Sequence, residues 1–133
     1  MESGQVPGAP SVVVVAVDER ALRVLEITIR LGGYQPLARR TIEEATRVRE
    51  GEAAPVATVV ELRDLDGDEL AELAALVEGA AAPVAVIVPQ PFAAERERVA
   101  AVGATVLVHP YRPSDLYALL PSPDGGAAGE ASS

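Results

Sequence analysis

Apolar and polar positions alternate along the chain with two periods. S-V-V-V-V-A-V (11–17) is an unbroken β-branched run, the signature of a strand covered on both faces. Asp18 then caps a predicted helix over 19–31, in which Leu22, Leu25 and Ile29 form one apolar stripe and Val24, Ile27 and Leu31 a second beside it. Gly32 and Gly33 end it. Tyr34 to Ala38 reads as a short strand, with Pro36 favouring a sheet edge. Thr41 and Glu44 have capping-box spacing and open a helix that runs to about Glu50 before Gly51.

The second half repeats the scheme. V-A-T-V-V-E-L (56–62) is the third strand, followed by the loop R-D-L-D-G and a helix that Gly79 stops, with Leu70, Leu73 and Val77 facing inward. P-V-A-V-I-V (83–88) is the fourth strand, and a helix over about 91–102 turns E-R-E-R outward before Gly103. T-V-L-V (105–108) is the fifth strand. Ser114 caps a last helix that Pro121 cuts short. Five β-α units of this kind predict an α/β fold: a doubly wound, flavodoxin-like (βα)₅ parallel sheet of strand order 2-1-3-4-5, with a short last helix. The domain spans 11–120. Residues 1–10 and 121–133 read as tails, because the latter contain no large apolar residue to offset their ordering entropy.

Composition narrows the chemistry. The chain has 133 residues, no cysteine and a formal charge of −9. Thiolate metal sites, disulfides and cysteine nucleophiles are excluded, and nucleic-acid binding through a basic patch is not expected. All eleven cationic side chains are arginine, so lysine chemistry is excluded too. No apolar run is long enough for a membrane helix, and the first residues lack the pattern of a secretory signal; a cytoplasmic protein is expected.

In a sheet of this order, functional groups gather at the carboxyl ends of the strands. There stand Asp18, Glu19 and Arg20; then Glu61, with Arg63, Asp64 and Asp66; then Val88, Pro89 and Gln90; and finally His109, Pro110 and Tyr111. Asp64, Asp66 and Asp68 alternate like metal ligands, but the stretch that follows is helical and supplies no EF-hand glutamate at the proper place. Asp18 and Glu19 are explained by capping and by the helix dipole. Glu61 ends an apolar strand and needs a partner, for which Arg63 or Arg20 is at hand.

With these residues the chain resembles the receiver domains of bacterial response regulators over 12–120. The markers are the first strand with its acidic turn, Gly33-Tyr34, Asp66-Gly67, P-V-A-V-I-V, and above all V-G-A-T-V-L-V-H-P-Y-R-P-S-D-L (102–116). The resemblance implies phosphoryl transfer to an aspartate, with two acids holding Mg²⁺, a hydroxyl after the fourth strand, and a lysine before the last proline. Position by position the chain departs from this. The acid pair falls near Ala16-Val17, with Asp18-Glu19 slightly late. The aspartate position holds Glu61, whose charge can imitate a phosphoaspartate; the hydroxyl position holds Val88, and the lysine position His109.

The expectation is therefore a degenerate receiver, or pseudo-receiver. It would be a non-enzymatic interaction module with no cofactor and no metal, and Asp18, Glu19, Glu61, Asp64, Val88 and His109 would mark its altered pocket. The expected partner is another signalling protein, or a second copy of the chain. It would dock on the face made by the fourth helix, fifth strand and fifth helix, at Arg96, Val106, Tyr111, Leu116 and Tyr117. Two alternatives stay open: a receiver phosphorylated at an unusual acid such as Asp64, and a small-ligand-binding protein of flavodoxin-like fold. The latter has no support from G-x-G-x-x-G, a Walker lysine or G-x-S-x-G, all of which are absent.

Overall fold

A computed structural model describes residues 9–49, 55–62, 67–80, 82–89 and 96–122. The strands are β1 (Ser11–Val15), β2 (Gln35–Arg39), β3 (Ala57–Glu61), β4 (Val84–Val88) and β5 (Thr105–Val108). They alternate with α1 (Glu19–Leu31), α2 (Ile42–Arg49), α3 (Gly67–Glu78), α4 (Arg96–Ala100) and α5 (Pro113–Tyr117). The sheet is parallel throughout, in the order β2-β1-β3-β4-β5. The edge position expected for the strand bearing Pro36 is the one observed.

The unbroken valine run of β1 now has its physical reason. Side chains alternate across a strand, so Val12 and Val14 enter one core with Leu22, Leu25 and Ile29 of α1 and Leu116 of α5. Val13 and Val15 enter the other, with Ile42 and Ala45 of α2, Leu73 and Leu76 of α3 and Val99 of α4. Neither face of β1 meets water, so neither position can be polar.

Several boundaries move. β1 ends at Val15 rather than residue 17. Ala16 is still buried, its amide donating to the Arg39 carbonyl (3.3 Å), while Val17 is exposed. Tyr34 precedes β2 and points into the core. In α3 the fully buried pair is Leu73 and Leu76; Leu70 and Val77 pack at its margin. Arg112, not Ser114, is the N-cap of α5, and its backbone N–H donates to the Asp115 carboxylate at 3.1 Å. Of the predicted helix over 91–102, residues 91–95 lie outside the described residues.

The expected tails also give up residues to the fold. The Pro10 carbonyl accepts from the Gln35 amide at 2.8 Å, and the Pro121 carbonyl accepts the Tyr34 hydroxyl. Most consequential is the second stripe of α1. Val24, Ile27 and Leu31 are exposed, so only one of the two predicted stripes is core.

The two glycines after α1 divide the work. Gly33 has φ 97°, which favours a residue without Cβ. Gly32 is in the ordinary helical region but serves close approach: a Cβ there would lie 2.5 Å from Cε1 of Tyr117. Tyr117 thereby lays its ring on the end of α1 and donates its hydroxyl to the Thr28 carbonyl at 2.6 Å.

Candidate functional site

At the carboxyl ends of β1, β3 and β4 the chain forms an open cleft of about 230 Å³, lined by Ala16, Val17, Asp18, Ala21, Glu61, Leu62 and Pro89. Its floor is apolar because β3 and β4 are buried up to their last residues. Its two carboxylates come from opposite sides.

Asp18 is exposed and caps α1: its Oδ2 accepts the Ala21 amide at 2.9 Å. One carboxylate oxygen is thus committed to the helix. Glu19 points away from the cleft and pairs with Arg23 one turn on (3.8 Å), both side chains largely in solvent. The two acids expected together in the pocket are therefore separated, and Glu19 is not a cleft residue.

Glu61 is half-buried at the end of β3. Burial raises its carboxyl above the ordinary value of 4.5; His109 opposes this, and the Asp18 carboxylate adds to it. The arginine partner expected for it is not Arg20, which lies with Glu19 and Arg23 on the outer side of α1. Arg63, together with Asp64 and Asp66, lies outside the described residues.

Val88 is fully buried among the aliphatic side chains beneath α3 and α4. It brings no hydrogen-bonding group to the cleft. His109 continues the β5 ladder through its amide, which donates to the Val88 carbonyl at 2.9 Å, and a cis peptide bond joins it to Pro110. Its exposed ring stands edge-on to Tyr111, with centroids 5.5 Å apart and planes at 88°. That ring contact, rather than a hydrogen bond to Glu61, is what the described residues give it. Burial, then Glu61, then Tyr117 push the Tyr111 phenol up to about 12. Glu61, His109 and Tyr111 thus form one electrostatic group.

Arg40 was not foreseen. Its guanidinium donates to the Val17 carbonyl through Nε (3.1 Å) and an Nη (2.7 Å), holding the turn between β1 and α1 from across the sheet edge. The contact spans 23 residues and has no local signature. The neighbouring Thr41 cap was legible: the Glu44 amide donates to Thr41 Oγ1 at 3.1 Å, while the Glu44 carboxylate accepts not from Thr41 but from the Arg40 amide before it, at 2.9 Å.

The face expected to dock a partner contracts. Arg96 is exposed and Val106 and Tyr111 are partly so, but Leu116 is fully buried core. Tyr117 is spent on α1 through Thr28 and Gly32. Leu116 leaves the docking surface, and Tyr117, partly exposed like Val106 and Tyr111, has its ring against α1.

No family model matches the sequence, and no curated protein matches it. Solved structures do. A response regulator receiver protein from Pseudomonas putida is 19% identical over 84% of this chain and 94% of its own, with a TM-score of 0.70. The chemotaxis protein CheY4 of Vibrio cholerae is 18% identical over 83% and 94%, with a TM-score of 0.67. A receiver protein from Burkholderia phymatum is 24% identical over 80% and 88%, with a TM-score of 0.66. The molecule has the fold of response-regulator receiver domains.

Receivers of the usual kind imply Mg²⁺ and a phosphoryl group. The residues here do not fit that pair well. One carboxylate is committed to a helix cap, the hydroxyl position is a buried valine, and the cationic position is a histidine turned onto a tyrosine.

Proposed function

We propose that this chain is a pseudo-receiver: a cytoplasmic, non-enzymatic interaction module of signal transduction that works without phosphorylation. The observation that carries the reading is the anion side of the cleft. A phosphoryl group would need donors there, and Val88 supplies only buried methyl groups while His109 is turned onto Tyr111. The receiver fold supplies the context, since solved structures that share it are receiver proteins and a chemotaxis protein.

Glu61 supplies charge at the place where the resemblance puts a phosphoaspartate. The state recognised by the partner is then built in rather than switched on. The partner is a signalling protein that docks on the edge formed by α4 and β5, where Arg96 is exposed and Val106 and Tyr111 are partly accessible.

Incubation with acetyl phosphate and Mg²⁺, followed by intact mass measurement, tests the reading. The expected result is an unchanged mass. A phosphoryl adduct, at Asp64 or any other carboxylate, would overturn it.

A further inference from the structure

Among the described residues, the exposed large apolar side chains belong to α1 and its entrance: Leu31 is 79% exposed, Val24 54%, Ile27 50% and Val17 41%. They are not scattered. Within the helix Val24 and Leu31 are seven residues apart and Ile27 falls three after Val24, the spacing of a seam between two helices; Val17 precedes the helix cap. The stripe runs along the side of α1 away from Leu22, Leu25 and Ile29, which face the sheet.

Among the described residues nothing covers these side chains, and the charges of α1 indicate what would. The helix carries Glu19 in its first turn and Arg30 in its last. They are eleven residues apart, about three turns, and so lie on the same flank of the stripe. A second α1 laid antiparallel across the first brings each Glu19 toward the other helix's Arg30. Arg20, inside the stripe, then reaches the carbonyl end of the facing helix, where a cation is favoured. Its stem lies along the facing Leu31.

We propose that this stripe is a homodimer seam, in which two copies of the chain pair through antiparallel α1 helices about a twofold axis. Any helix with complementary residues could cover the apolar stripe, but the end-to-end reversal of charge makes α1 its own complement. The contact is isologous, so it closes at two copies. One 13-residue helix on another reaches only the small end of specific interfaces, about 1,200 Å² or less, so the dimer is weak and concentration-dependent. The seam is separate from the α4–β5 edge and independent of whether the cleft takes phosphate.

Sedimentation equilibrium of the full chain over a wide concentration series tests it. The expected result is an average mass rising toward twice the monomer's. Ile27→Glu with Leu31→Glu should hold the chain monomeric, and because both side chains are exposed the variant should stay folded by circular dichroism. Glu19→Arg or Arg30→Glu alone should each weaken association about tenfold, by turning two cross-seam attractions into repulsions. The double exchange should restore it. A chain that stays monomeric at every concentration would overturn the proposal. So would a dimer that survives the Ile27/Leu31 variant, or one that the double exchange fails to restore.

Discussion

The layer between α1 and α5 and the cleft at the strand ends are built from the same short elements, yet they treat their polar groups in opposite ways. In the layer each tyrosine hydroxyl has a carbonyl to donate to: Tyr117 to Thr28, and Tyr34 to Pro121. The Tyr117 ring fills the space that Gly32 leaves. In the cleft, Glu61 is half-buried beside a second carboxylate, and among the described residues His109 opposes the cost. The layer is a device for stability. The cleft holds charge at some cost to stability.

That contrast can be broken or sharpened by substitution. The largest effect should come from the core beneath the layer. Leu25 is essentially inaccessible, and Leu25→Ala should lower unfolding free energy by about 2–5 kcal/mol in urea titration. A smaller but more specific loss is expected from Gly32→Ala. The added methyl would stand 2.5 Å from the Tyr117 ring, which its hydroxyl bond to Thr28 keeps from moving aside freely. Overpacking of this kind costs about 1–3 kcal/mol. Tyr117→Ala in the same background should remove most of the added penalty, and a simple sum of the two losses would show that the ring is not the obstacle.

The smallest effect has the opposite sign. The Glu61 carboxyl is raised in the folded state, chiefly by burial. Between the ordinary value and the raised folded one, the native protein therefore holds a proton that the unfolded chain has released. The stability tied to that proton is fully present below about 4.5 and is lost as pH rises through the folded value. Glu61→Gln should thus melt higher than the parent at pH 7 and show no such gain at pH 4. A loss at pH 7 would mean that Glu61 has a cationic partner after all.

The sheet was legible because its causes are local. Runs such as 11–15 and 84–88 must be buried on both faces, and strands in that state with helices between them admit few topologies. Coverage of α1 was not legible. A helix sequence states which residues are apolar but not how many sides its neighbours cover, so Val24, Ile27 and Leu31 read as a second stripe with no sign that it would be exposed. The length of α5 misled in the reverse direction. Five residues suggested an uncovered end, whereas Leu116 and Tyr117 seal it against α1.

Part of the cleft's lining was legible, Asp18 and Glu61 but not Glu19, and its electrostatics were not. Glu61, Asp18 and His109 stand at the strand ends as the order of elements requires. An arginine near in sequence was the natural counter-ion for Glu61, but Arg20 leaves on the outer side of α1, because one residue of helix turns a side chain by about 100°. Arg40 reaches the same region from β2 through the Val17 carbonyl, a consequence of sheet order rather than of any motif.

The most direct test of an altered pocket is a titration of the ¹⁵N-labelled chain with Mg²⁺ and beryllofluoride, read through the amide resonances of Asp18, Leu62 and His109. Those resonances should stay where they are as the ligands are raised. Saturable shifts confined to these strand ends would mean that a phosphoryl analogue still binds there, and the reading of the cleft as silent would be contradicted.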